Sequence, residues 1–107
     1  MTTVTFYRRN GFLSGIRVAG HSGYADAGSD VVCAAVSVLV QALHIGLSDV
    51  LGQEISPLIN AEDAVIEYGW NRETEHSVQV LCETIARTFY ETAQSYGSYV
   101  KYVEVSL

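Results

Sequence analysis

The sequence predicts an α+β fold: a single compact domain over residues 1–107, with a mixed sheet, two helices and the element order ββαββαβ. Three observations lead there. Asn10-Gly11 separates two runs of strand-like alternation, which is the pattern of a β-hairpin. Two long stretches of helical character, about 30–51 and 71–97, are separated by short strand-like runs. No linker, low-complexity tract or internal boundary divides the chain, and the two halves do not repeat. A chain of 107 residues buries roughly 65% of its unfolded surface, and 49% apolar against 17% charged residues excludes a disordered segment.

Val4 and Phe6 alternate with Thr3, Thr5 and Tyr7 in the first strand, and both residues of the Asn10-Gly11 turn tolerate positive φ. The second strand, Phe12 to Ala19, ends at Gly20-His21. A loop from Gly20 to Ser29 follows, with glycines at 20, 23 and 28. It admits three readings: an ordinary connection, a flap that approaches a ligand closely, or an anion cradle. The last lacks the lysine that a Walker-type loop requires.

The first helix is predicted from about Asp30, as N-cap, to Leu51, with Gly52 as terminator. Cys33, Ser37, Gln41, His44 and Ser48 recur at spacings of four, four, three and four, forming one polar stripe on an otherwise apolar helix. Cys33 heads that stripe in the first turn and is expected to face a cleft. The apolar surface of this helix, including Val38, Leu39, Leu43 and Leu47, exceeds what one small sheet covers, which points to a homodimer. Strands at Leu58–Asn60 and Ala64–Trp70 follow, with Ile66, Tyr68 and Trp70 on one side and Glu67 on the other. Asn71 is the expected cap of the second helix, with Glu73 and Glu75 in its first turn. Val78, Cys82, Ile85, Phe89 and Tyr96 trace its apolar face, Gly97 ends it, and Tyr99 to Val105 forms the last strand.

The net charge of −6 and the pI near 4.8 argue against a phosphate backbone as partner, hence no direct nucleic acid, and are compatible with a basic partner. The start Met1-Thr2-Thr3 lacks a charged n-region followed by an apolar one, so no signal peptide is expected. The run Val31–Val40, interrupted by Ser37 and followed by Gln41, reads as too short and too polar to span a membrane. With two cysteines and no sign of an oxidising compartment, a cytoplasmic protein with reduced thiols is expected.

Chemistry concentrates at one corner. His21, Asp30 and Cys33 gather around a helix N-terminus, where unpaired N–H groups and the helix dipole favour a thiolate. Against this stand simpler accounts: Asp30 as a cap alone, Cys33 as a structural cysteine. Spacing alone leaves a catalytic pair and a structural role open. A metal site is disfavoured because the corner offers one soft ligand and no second cysteine at ligand spacing. Cys82, on an apolar face, reads as a core residue, and His44 and His76 as surface residues.

Gly20-His21-Ser22-Gly23-Tyr24-Ala25, then Gly28, then Asp30-Val31-Val32-Cys33-Ala34-Ala35-Val36-Ser37 resembles the signature of the ribosomal-processing cysteine proteases, the Prp family. Ser22 departs from the alanine common at that position. The resemblance extends through the ββαββαβ order to the ending Tyr96-Gly97-Ser98-Tyr99-Val100. It implies a bacterial cytoplasmic, homodimeric endopeptidase that needs no cofactor and removes the N-terminal extension of a large-subunit ribosomal protein precursor. It implies cleavage after a hydrophobic, aromatic-rich sequence, with His21 and Cys33 as the catalytic dyad and Asp30 as helper. The substrate-binding loop would comprise Gly20, Ser22, Gly23, Tyr24, Gly28 and Ser29. The alternatives are a non-catalytic ribosome-associated binding module and a hydrolase that uses the same dyad on another acyl substrate.

Overall fold

A computed structural model describes residues 1–20 and 27–107, the side chains of residues 27–30 excepted. Strands β1 (Thr2–Arg9) and β2 (Phe12–Ala19) form the hairpin predicted from Asn10-Gly11, whose φ values of 53° and 84° are the left-handed pair that such a turn requires. Helix α1 (Ala27–Ile45) passes into a π-helical turn (Gly46–Val50), followed by β3 (Leu58–Asn60), β4 (Val65–Gly69), α2 (His76–Ser95) and β5 (Val100–Ser106). The strand order is β3-β4-β2-β1-β5, antiparallel throughout except for the parallel β1–β5 pair.

Cross-strand partners Phe6, Ile16 and Tyr68 share one face of the sheet, and both helices lie on that face. Phe89 of α2 packs on Phe6 with ring centroids 5.8 Å apart, and the Tyr68 hydroxyl donates to the Val40 carbonyl of α1 at 2.9 Å. Val32, Val36, Val40, Leu43 and Leu47 are the buried side of α1 and its π-helical turn. At Gly46 the helices approach so closely that a Cβ would meet a Leu81 methyl at 2.6 Å. Leu43 and Leu47, expected to need a partner subunit, are covered within the chain. The large apolar side chains left outside are Val31, Val38 and Ile45 on α1 and Val50 at the end of the π-helical turn.

Several boundaries differ from those predicted. Helix α1 starts at Ala27, so Asp30 lies inside the first turn and is not the N-cap, and Cys33 lies in the second turn. Helix α2 starts at His76, because the Asn71 backbone is already committed: its N–H donates to Gln53 Oε1 at 2.9 Å and its carbonyl accepts from Gln53 Nε2 at 2.8 Å. Arg72 then turns left-handed at φ 56°. Glu75 becomes the N-cap without a side-chain bond, and Glu73 and Glu75 precede the helix. Tyr96, expected on the apolar face, is the exposed C-cap.

By length and composition, Val31–Val50, with mean hydropathy 2.0, is long and apolar enough to cross a bilayer, contrary to the expectation drawn from the shorter run. Its buried side chains are the ones that close the sheet's core.

Cys82 is a core residue, as predicted, at 1% exposure. Burial pushes its thiol from an ordinary 9.0 up to about 12. In the unfolded chain this thiol ionises from about pH 9, whereas the folded one stays neutral to about pH 12. Stability that is full below about pH 9 is therefore lost as pH rises through that window, by at most about 1.4 kcal/mol per pH unit. Burial also raises the Tyr68 phenol and adds to the loss at higher pH. Urea denaturation at several alkaline pH values is expected to show a shallower decline for Cys82→Ala than for the parent, whatever the variant's loss at neutral pH.

Candidate active site

The site region begins where β2 ends. Gly20 sits at φ 90°, and its N–H donates to the Ala64 carbonyl at 3.0 Å. A Cβ there would lie 2.5 Å from the Met1 carbonyl oxygen. The chain thus leaves the sheet towards residue 21 from a joint pinned by β1 on one side and the β3–β4 turn on the other, and only glycine satisfies both the angle and the space. His21, Ser22, Gly23 and Tyr24 lie outside the described residues, as do the side chains of Ser29 and Asp30, while Gly28 and Ser29, expected in the loop, belong to the first turn of α1.

Cys33 is half-buried on α1 and forms no disulfide. It lines a cleft of about 360 Å³ between α1 and the β3–β4 hairpin. Ser37, one turn along the polar stripe, lines the same cleft, together with the apolar Val18, Val36, Ile59 and Ile66. The stripe therefore located the cleft, but only its first two members reach it. Ile59 carries no sequence signal, since a three-residue strand is too short for alternation to be read.

Among the described residues that line the cleft, Cys33 is the one ionisable side chain. His44 is not the surface residue expected: its ring meets Tyr68 edge-on at 5.7 Å, and its Nε2 is buried without a hydrogen-bond partner. His76 is exposed at the start of α2. As the seventh residue of α1, Cys33 has its amide within the helical ladder, beyond the unpaired donors of the first turn. Its N–H is therefore not the anion donor that a first-turn position would supply. Those donors belong to residues 27–29.

A larger cleft, about 790 Å³, lies between α2 and the β1–β5 pair, away from Cys33. Three of its charges satisfy one another, with Arg87 a fourth on its wall: Arg8 bonds Glu83 at 2.7 Å and Glu104 at 2.6 Å, and the Tyr102 hydroxyl donates to Glu104 at 2.6 Å. The hydrogen bond to Glu83, then that to Glu104, raises the guanidinium further above its ordinary value, and Arg8 in turn holds the Glu104 carboxyl below its own. This is an internal clamp joining three elements. Among the described residues no three His, Cys, Asp or Glu side chains converge as metal ligands.

Gly20 and Gly11 provide a matched test of the joint. Both have positive φ, but nothing lies within 4 Å of a Cβ built at Gly11. Gly20→Ala is expected to destabilise the protein by roughly 1–3 kcal/mol more than Gly11→Ala, read from denaturation midpoints.

Comparison with known proteins adds a family. No curated protein matches the sequence. SMU.848 from Streptococcus mutans has a similar structure, with a TM-score of 0.89 and 26% identity over 100% of this chain and 96% of that one. The essential ribosomal processing protease Prp from S. aureus, solved in complex with a substrate peptide, aligns with a TM-score of 0.86 at 13% identity, covering 98% of this chain and all of that one. The same protease with a covalently linked product peptide gives 0.84 at 14% identity, with the same coverage. The profile of the cysteine protease Prp family matches residues 1–101, and the chain belongs to that family of cysteine proteases.

Proposed function

We propose that this protein is the endopeptidase that removes the N-terminal extension of a bacterial large-subunit ribosomal protein, with Cys33 as nucleophile and His21 as general base and acid. The observation that carries the reading is Cys33 itself, half-buried at the wall of a cleft whose other described lining residues cannot ionise. A thiol nucleophile needs a base. Of the three histidines in the chain, His44 and His76 lie elsewhere, which favours His21, one residue beyond the Gly20 joint.

The chemistry is acyl transfer. His21 takes the thiol proton of Cys33, and the thiolate attacks the scissile carbonyl carbon. Unpaired N–H groups at the start of α1 stabilise the oxyanion. The C–N bond breaks as His21 returns the proton to the leaving amine, forming a thioester. Water, deprotonated by His21, then attacks the thioester, releasing the carboxylic acid and regenerating the thiol. Asp30 orients His21. Gly20, Ser22, Gly23, Tyr24, Gly28 and Ser29 contribute to binding the extended peptide. The net charge of −6 suits a basic ribosomal precursor, and the reaction takes place in the cytoplasm.

Incubation of ribosomal precursor protein with the purified enzyme, followed by mass spectrometry, tests this reading. Cys33→Ala is expected to abolish cleavage with the fold intact. Asp30→Asn is expected to leave thermal stability unchanged and to slow single-turnover acylation, by up to roughly 10⁴-fold if the carboxylate fixes the histidine tautomer. Precursor binding without cleavage by the wild type would favour a non-catalytic module instead.

The enzyme works as a homodimer through the outer face of α1. Val31, Val38 and Ile45 recur there at intervals of seven and remain exposed, Val38 by 62%. Analytical ultracentrifugation at micromolar concentration is expected to show a dimer, and Val38→Glu a folded monomer. A monomeric wild type would remove this assignment.

A further inference from the structure

The sheet carries its helices on one face, and the other face gathers cations in an acidic protein. Four of the six Lys and Arg residues lie on the strands, but only two of the twelve Asp and Glu residues do. Arg8 and Glu104 are held on the helix side by their bonds to Glu83 and to each other. Lys101 follows buried Val100, and Arg17 lies between buried Ile16 and Val18, so both point away from the helices. Glu67, the cross-strand partner of Arg17, is the one strand carboxylate on this face. Its exposed pair with Arg17, at 3.3 Å, costs little to exchange for another anion. The side chains of Arg9 and Lys101 have no partner among the described residues. A net charge of −6 opposes a phosphate backbone only where it is spread evenly, and here it is not.

The same face holds a groove. Tyr7, Gly15 and Gly69 are successive cross-strand partners, which sets a tyrosine ring beside two bare stretches of backbone. Neither glycine takes a positive φ. A Cβ at Gly15 would make an ordinary contact with the Tyr7 ring at 3.4 Å, and one at Gly69 would lie 3.2 Å from the Ser14 carbonyl, needing a small shift. Interior strand glycines that neither angle nor packing demands mark a close approach from outside. The groove, about 400 Å³, is lined by these three residues, by Arg9, and by the exposed Leu58 and Leu107.

We propose that the helix-free face binds a short segment of single-stranded RNA, with one base stacked on Tyr7 over the glycine floor and phosphates held by Arg9, Arg17 and Lys101. A flat groove beside a ring suits a planar heterocycle, and the cations around it suit the phosphates on either side. The face spans about 13 Å from the Lys101 row to the Tyr7 row and about 19 Å across five strands, room for two or three nucleotides. Thr3 and Thr5, the cross-strand partners of Lys101 and Arg17, offer hydroxyls to ribose 2′-OH groups and so favour RNA over DNA. A duplex keeps its bases stacked on one another and cannot use Tyr7. The site lies across the sheet from the Cys33 cleft and is independent of the reading of Cys33 as nucleophile.

The test is fluorescence anisotropy on the intact protein with labelled octauridylate, octathymidylate and a short RNA duplex. Octauridylate is expected to bind about threefold more tightly than octathymidylate and about tenfold more tightly than the duplex. Its affinity is expected to fall with salt at a log–log slope of about −2, from roughly −0.7 for each of three phosphate contacts. Arg9→Gln and Lys101→Gln are each expected to flatten that slope by about 0.7, whereas Arg87→Gln, the same loss of charge on α2, leaves it unchanged. Tyr7→Leu is expected to weaken octauridylate binding about tenfold, and Tyr7→Phe, which keeps the ring, by less than about twofold. Arg9 and Lys101 are exposed, so their variants decide the matter if Tyr7→Leu does not fold. Absence of octauridylate binding at about 100 μM protein and about 50 mM salt would overturn the assignment. So would equal affinity for octathymidylate or the duplex, or an Arg87→Gln effect as large as that of Arg9→Gln.

Discussion

The geometry of this molecule rests on how α1 is laid against the sheet. Five side chains of α1 and its π-helical turn, from Val32 to Leu47, are buried. Burial of such residues contributes on the order of 1.5–3 kcal/mol each before chain entropy is deducted. The hydroxyl of Tyr68, donated to the Val40 carbonyl, contributes about 1 kcal/mol net. Apolar contact supplies the energy, and the hydroxyl adds direction, because a helix can slide along an apolar surface more easily than it can abandon a buried hydrogen bond. That register brings Cys33 and Ser37 to the cleft wall. A helix rotated by one residue would present Val32 there instead, with the thiol turned elsewhere.

The two cysteines illustrate how far environment outweighs residue type. Cys82 is surrounded by core and its thiol is held neutral well past physiological pH. Cys33 stands half-buried at an opening. Size is an equally poor guide to chemistry among the clefts. The larger one carries the Arg8 guanidinium and two carboxylates that satisfy each other, so most of its charge serves the fold. The smaller one borders a half-buried thiol and an apolar wall.

Much of this was legible in the sequence where a local rule acted alone. Asn10-Gly11 demands a left-handed pair, so the hairpin and its turn coincide with expectation. Four of the five residues assigned to the apolar face of α2 are buried, Tyr96 being the exception. The polar stripe led to the Cys33 cleft for the same reason, a period that one helix face must respect. Errors arose where distant residues compete for a local group. Asn71 looks like a cap, but Gln53, far away in sequence, engages its backbone first and delays the helix. Asp30 looks like a cap as well, yet α1 begins before it. Ile59 was invisible because its significance lies entirely in its neighbours Ile66 and Val18 across the sheet. The roles proposed for His21 and Asp30 rest on family resemblance, because spacing alone leaves a structural role equally open.

The parallel pairing of β1 with β5 sets the timing of assembly. Thr2 lies opposite Val100, and the Thr2 N–H donates to the Tyr99 carbonyl, so one of the first strands made waits for the last. Contacts of such high sequence separation form late, after the cost of closing a long loop has been met. During synthesis the hairpin can form early, but the edge of β1 stays unpaired until residue 100 and beyond have left the ribosome. The same end of β1 packs against Gly20, the joint beside the cleft. Residues 100–106 therefore close the edge of β1 whose end packs against the Gly20 joint, so the wall of the Cys33 cleft depends on a strand some eighty residues further along the chain.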